Sequence, residues 1–332
     1  MWLAMLLWGC ADRPAAEQWC AFSGEALGTT WTVKWSTAAD VCDEKRVDLG
    51  VSDVLAEVDA QMSTWRDDSE LSRVRKGPGA VEVSEDTADV VRDALALAEA
   101  TGGAFDPTVQ PLMEVWGFHS KARTLERPSD EALAAARDAV GWQKVSVHYT
   151  DGVPTIDAGG TALDLSAIAK GHAVDRVSAV LSGFGHANHM VEVGGEVRVT
   201  GSGPNGAWTL GVDAPTEGTA PGTDFVALVG LVDRSLATSG NYRNRVEVGG
   251  RQVHHTMDPR TGEPAVTDAL SVSVVARDCR TADALATAVM VLGADAGLAL
   301  LERRSDVEGL VIVGGPQGFE QRATSGMSRF VR

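Results

Sequence analysis

Asp283 and Thr287 stand four residues apart in Thr281-Ala282-Asp283-Ala284-Leu285-Ala286-Thr287-Ala288-Val289-Met290. Small and straight-chain residues dominate the segment, which predicts a helix. On a helix this spacing puts the carboxylate and the hydroxyl on one face, one turn apart. Two oxygens stacked in this way can hold a hard cation. The simpler reading is a capping or solvated Asp283 beside a packed Thr287, and the pair alone does not separate the two.

Three further segments carry reactive side chains. Gly102-Gly103-Ala104-Phe105-Asp106-Pro107-Thr108 leads into Trp116-Gly117-Phe118; its glycines let backbone approach a ligand, or simply stop a helix. Asp164-Leu165-Ser166-Ala167-Ile168-Ala169-Lys170-Gly171 reads as a strand turning into a helix. A helix start offers free N–H groups to an anion, and Lys170 is near enough to join them. His254-His255-Thr256-Met257-Asp258-Pro259-Arg260-Thr261-Gly262 is a polar turn in which a histidine could take a proton from a hydroxyl. Gly194-Gly195 and Ser239-Gly240 mark further tight turns. The chain has no G-x-x-x-x-G-K-[ST] loop, no G-x-G-x-x-G opening a helix and no G-x-S-x-G elbow. A nucleotide bound here would use neither common phosphate loop.

The elements that must position these groups follow from periodicity. Helices are predicted over 48–62, 84–101, 129–140, 167–181, 281–292 and 294–303, with Ser84 and Ser129 as caps. Alternation predicts strands at 29–35, 190–199, 208–212, 225–232, 245–248, 270–275 and 309–313. Helices and strands are interspersed without a regular βαβ rhythm, so the expected class is α+β, with mixed sheets and packed helices in a single catalytic unit over 21–332.

The 29 basic and 46 acidic side chains give a net charge of −17, which argues against nucleic acid as a partner. Met-Trp-Leu-Ala-Met-Leu-Leu-Trp-Gly-Cys looks like the end of a lipoprotein signal, with Cys10 as the lipidated residue and residues 11–20 as a tether. That implies export and a lipid anchor on the periplasmic side of a membrane. The run lacks a basic start and Trp8 is bulky for such a signal, so a cytoplasmic location is the alternative. Cys20 and Cys42 could pair, leaving Cys279 alone.

Taken together these segments resemble the ApbE family, the FAD:protein FMN transferases. The likeness runs from about Ala26 to Leu292 through Leu27–Trp31, Met62–Trp65 with Ser69–Arg73, Gly103–Thr108, Trp116–Phe118, Asp164–Gly171 with Asp175, Gly194-Gly195, Thr238–Gly240, His255 with Asp258–Pro264, and Asp283–Thr287. The resemblance implies FAD as substrate, Mg²⁺ as cofactor and a redox protein with a threonine-bearing motif as partner. FMN would pass to the threonine hydroxyl and AMP would leave. By the same resemblance, Asp283 and Thr287 bind Mg²⁺ by side chain and Ala167 by its carbonyl. Leu27, Trp65, Ala104, Phe105, Asp106, Asp164, Lys170 and Met257 line the flavin site, and His255 is the base. Trp65 stands where the family often has tyrosine, and Leu27 where it often has methionine. His172 replaces an aromatic residue, and Asn241 an acidic one. FAD hydrolysis to FMN and AMP, or plain FAD storage by a lipoprotein, are the competing readings.

Overall fold

The computed structural model describes residues 17–332 apart from 40, 119–125, 217, 221, 243–245, 249–250 and 316–317. The lipoprotein-like leader, Cys10 and residues 11–16 of the expected tether lie outside the described residues. Residues 18–20, expected in that tether, belong to a strand instead.

The centre is one eight-stranded sheet. Its strands are Gln18–Ala26, Thr29–Thr37, His189–Val193, Glu196–Thr200, Arg234–Gly240, Ala269–Ala276, Glu308–Gly315 and Gly318–Ala323. They lie side by side in chain order, and each neighbouring pair is antiparallel. The architecture is α+β, with the helices carried on excursions between strands of the meander.

Alternation assigns the faces. Val272, Val274, Val311 and Val313 join the larger core under the helices, while Val275, Leu310 and Ile312 point into a second core on the opposite face. Helices Glu44–Met62, Glu85–Ala100, Ala169–Gly183 and Cys279–Leu292 fill the first core with Val, Leu and Ala. A separate hairpin, Trp208–Asp213 with Phe225–Leu231, covers the second. Expected caps hold: Ser84 Oγ accepts from Thr87 N, and Ser129 Oγ from Ala132 N. The 190–199 stretch is a hairpin of two strands turned at Gly194-Gly195 rather than one strand. The Gln18–Ala26, Arg234–Gly240 and Gly318–Ala323 strands went unpredicted: the first alternates only weakly, Gly24 interrupting its Cys20, Phe22 and Ala26 stripe, Ser239-Gly240 of the second was expected as a tight turn, and the third is exposed along most of its length. Cys20 and Cys42 form a disulfide with Cα atoms 5.9 Å apart, and Cys279 is a buried free thiol.

His172 is buried on the Ala169–Gly183 helix, and its Nε2 has no hydrogen-bond partner. Burial, with the Arg280 guanidinium nearby, pushes its pKa down from 6.5 to about 4. The unfolded chain therefore binds the extra proton first as pH falls. Stability from the neutral ring is complete above about 6.5 and is lost as pH drops toward 4. A His172→Phe variant should flatten that slope by something on the order of 3 kcal/mol across the window, read as urea midpoints between pH 4 and 7. A wild-type slope in the variant would refute the burial argument.

Candidate active site

Two helix starts meet at the centre of the molecule. The Cys279–Leu292 helix is capped by Asp278, whose Oδ1 accepts from Thr281 N at 2.8 Å. Asp175, on the Ala169–Gly183 helix, accepts from Cys279 N and Arg280 N at 2.9 Å and is held by Arg198 Nη1 at 2.9 Å. These bonds satisfy N–H groups that a helix start leaves open. They also pull the helices together at Gly171, where an added Cβ would lie 2.3 Å from Cys279 O.

Asp283 is therefore neither a cap nor solvated. It is 3% exposed, and its Oδ2 accepts from Gly171 N at 3.0 Å. In a regular helix that N–H would seek the carbonyl four residues back. Here the helix begins at Ala169, two residues later than the sequence predicts, and no N–H among the described residues bonds to Ala167 O. One turn beyond Asp283, Thr287 Oγ1 lies 3.2 Å from Ser239 Oγ on the central sheet.

Lys170 bridges sheet and helix. Its Nζ lies 2.6 Å from Glu196 Oε1 and 3.9 Å from Asp283 Oδ1. Burial works against its charge, but the Asp283 and Glu196 carboxylates outweigh it and hold the lysine above its ordinary range. Burial also raises both acids: Asp283 moves upward against the pull of Lys170, and Glu196 is pushed up to about 7. Glu196 Oε2 is buried without a hydrogen-bond partner. Glu196 follows the Gly194-Gly195 turn; Gly194 has φ 61° and abuts Thr29, where a Cβ would come within 3.0 Å.

The opposite wall is built from loops. Asp106 Oδ1 accepts from Thr108 N at 2.8 Å and Thr108 Oγ1 at 2.6 Å, and Oδ2 from Trp142 N at 3.2 Å. Burial raises the Asp106 pKa despite those donors. Asp164 N donates to Pro107 O at 2.7 Å, which ties the two loops, and Asp164 Oδ1 accepts from Ser166 N at 2.8 Å. The third wall is the Met257–Asp258 and Glu263–Pro264 hairpin, pinned by Trp116 Nε1 donating to Gly262 O at 3.0 Å. That bond is the use of the Trp-Gly-Phe segment.

These walls enclose a cleft of about 710 Å³. Of the residues expected at the site, Ala104, Phe105, Asp106, Asp164, Ala167, Lys170, His255, Met257, Asp283 and Thr287 line it. Leu27 and Trp65 do not. Leu27 sits at φ 53° in the turn before Thr29, beside the Gly194 wall, and Trp65 is 61% exposed. Residues that sequence reasoning passed over include Glu196, Ser239, Asp213 and Phe225. An acid directly after a Gly-Gly turn was a readable sign for Glu196; Ser239 stood in a segment singled out as a turn without a role of its own, and Asp213 and Phe225 follow only from tertiary packing.

Among the described residues no three His, Cys, Asp or Glu side chains gather as a metal cluster. A cation here would instead use mixed oxygens: the Asp283 carboxylate, the Thr287 hydroxyl and the unclaimed Ala167 carbonyl. Such a set suits a hard ion and no soft one.

A Gly171→Ala variant tests the helix junction. Its methyl would press on backbone rather than on a movable side chain. A loss of 2 kcal/mol or more is expected in urea unfolding, roughly the cost of overpacking a core. Wild-type stability would mean that the helices can part without penalty.

A sequence model of the ApbE family matches residues 27–311. A protein named FAD:protein FMN transferase from Vibrio cholerae is 36% identical, over 98% of this chain and 96% of its own length. One of the same name from Haemophilus influenzae is 33% identical, over 93% and 90%. The solved flavin transferase ApbE from Vibrio cholerae superposes with a TM-score of 0.83 at 36% identity, covering 95% of this chain and 99% of that one. The apo form of Pseudomonas stutzeri flavinyl transferase ApbE gives 0.84 at 33% identity, covering 94% and 96%. The chain belongs to the ApbE family and, like these relatives, is a transferase.

Proposed function

We propose that this cleft binds FAD with Mg²⁺ and transfers the FMN half to a threonine hydroxyl of a partner redox protein, releasing AMP. The observation that carries the reading is the buried Asp283 carboxylate, one turn from Thr287, in a cleft also lined by Ala167, whose carbonyl the helix start leaves unclaimed. Asp283, Thr287 and Ala167 O would hold the cation. When bound, Mg²⁺ supplies the positive charge that a pyrophosphate and a departing AMP require.

The remaining groups bind, orient and move a proton. Lys170, kept protonated by its two acidic neighbours, offers a donor to an anionic oxygen. Ala104, Phe105, Asp106, Asp164 and Met257 shape the flavin wall. Trp65, exposed outside the lining of the cleft, and Leu27, at the turn before Thr29, would join the flavin wall only through contacts made by the bound flavin itself. His255, exposed at the cleft, takes the proton from the incoming hydroxyl. That oxygen bonds to the FMN phosphorus as the bond to the AMP oxygen breaks. AMP leaves with the electron pair, and His255 later returns its proton to solvent. No serine or cysteine nucleophile is needed, because the partner supplies the hydroxyl.

The Cys20–Cys42 disulfide supports export to an oxidising compartment, and with it the reading of the residues ahead of the Gln18–Ala26 strand as a leader cleaved and lipidated at Cys10 and a short tether, before a single catalytic unit that begins with that strand. No helix among the described residues is long and apolar enough to cross a membrane.

The direct test is incubation with FAD, Mg²⁺ and a threonine-bearing acceptor domain, followed by intact mass. The acceptor should gain one FMN, and EDTA should abolish the gain; free FMN with an unmodified acceptor would replace transfer by hydrolysis. Asp283→Ala should lose Mg²⁺ binding by calorimetry while its melting point stays within a few degrees; undiminished affinity would sink the metal assignment. His255→Ala should retain FAD and slow transfer by about 10²–10⁴-fold. A wild-type rate at every pH would remove His255 as the base.

A further inference from the structure

The hairpin on the second core ends at the cleft, and one of its edges is open. Its Phe225–Leu231 side is closed by the end of the chain: Gly230 N donates to Phe330 O at 2.8 Å, and Arg332 N to Leu228 O at 2.9 Å. On the outer side of residues 208–212, no backbone partner lies among the described residues. Unpaired N–H and C=O groups along an edge template another strand. Natural edges are often blunted by lysine or proline. Trp208-Thr209-Leu210-Gly211-Val212-Asp213 has neither, and its one charge is Asp213 at the cleft end.

The strand is held by one face and offers the other. Trp208 and Val212 are buried, whereas Thr209 and Gly211 are exposed. Gly211 and Asp213 line the cleft, together with Gly222 and Phe225 from the returning side. The Phe225 ring lies over Gly211, where a Cβ would come within 2.2 Å of it, and remains 47% exposed. An open edge and an apolar step thus run together into the cleft that also holds His255. The relatives' names specify a protein as acceptor, so a polypeptide has to enter this cleft.

We infer that the acceptor polypeptide docks on the open edge of residues 208–212 as an added strand, which carries its hydroxyl-bearing residue past Gly211 into the cleft. The inference rests on the transferase reading. Main-chain hydrogen bonds to the edge supply affinity, and alternate side chains of the acceptor meet Phe225. Six residues of strand span roughly 20 Å, enough to fix the direction of an extended segment.

The test uses the full chain with FAD, Mg²⁺ and a synthetic library of threonine-centred peptides. The peptide that gains FMN fastest is remade with backbone N-methyl groups at one or the other alternate set of positions. Methylating the set that faces the edge should raise KM at least tenfold; methylating the other set should leave it within twofold. Amides of residues 208–212 should exchange more slowly with deuterium when the unmethylated peptide is present, at unchanged FAD affinity. Equal transfer to both methylated peptides, with exchange at 208–212 unaltered, overturns the docking edge and leaves the transferase reading standing. If no library peptide and no folded acceptor domain gains FMN, the transferase reading fails and takes this inference with it.

Discussion

A buried carboxylate held between two helix starts is the constraint from which the site follows. Taking a charged group out of water is costly unless donors surround it. Asp283 meets that requirement with the Gly171 N–H and the Lys170 ammonium, both from the opening turn of a neighbouring helix. The positive end of that helix dipole favours the same charge. The arrangement needs the helices close enough to exclude a side chain at residue 171, which explains glycine there despite its low helix propensity. It also shifts the helix start, and the shift leaves Ala167 O, on a residue that lines the cleft, without a backbone N–H donor among the described residues. One hydrogen bond diverted from its regular partner thus supplies both a held acid and an open carbonyl.

The sheet makes this geometry stiff. Ser239 and Glu196 reach the site from adjacent strands of the eight-stranded meander, on either side of the pairing between Arg234–Gly240 and Glu196–Thr200. Their spacing is set by strand pairing and not by a loop. By contrast, His255 lies in the loop just ahead of the short Met257–Asp258/Glu263–Pro264 hairpin, which Trp116 pins through Gly262 O. The side chains that touch Thr287 and Lys170 therefore sit on rigid elements, and His255, the base under the proposed reading, on an exposed rim. A transfer reaction benefits from that division, since the nucleotide must be fixed while a large second substrate comes and goes.

Much of this was legible in the residues. The Asp283/Thr287 spacing, the Ser84 and Ser129 caps and the helices between them follow from local chemistry, and local chemistry survives folding. Ten of the twelve expected site residues meet at one cleft because most belong to segments with unusual composition. What could not be read is what depends on tertiary approach. Glu196 becomes a buried partner of Lys170 only when a sheet turn meets a helix start from a distant part of the chain. Leu27 and Trp65 were placed by resemblance alone, and neither lines the cleft. Residues 18–20 read as the end of a tether because the inward stripe of the Gln18–Ala26 strand, Cys20, Phe22 and Ala26, is sparse and broken by Gly24, too little to mark an edge strand by sequence alone.

The charge distribution adds a last step. A chain of net charge −17 repels a dinucleotide at long range, so binding has to be won locally. Among the described residues that line the cleft, Lys170 is the one lysine, and two acids already claim it. Lys170 alone cannot neutralise a pyrophosphate while it also balances Asp283 and Glu196. An added divalent ion changes that sum: it would take up the Asp283 charge and release part of the lysine's positive field toward the phosphates. Glu196, with one oxygen unpartnered and its pKa near 7, can then keep the ammonium in position without cancelling it fully. Among the described residues that line the cleft, acids outnumber bases, and that balance is consistent with the proposed use of a cation alongside the anionic substrate.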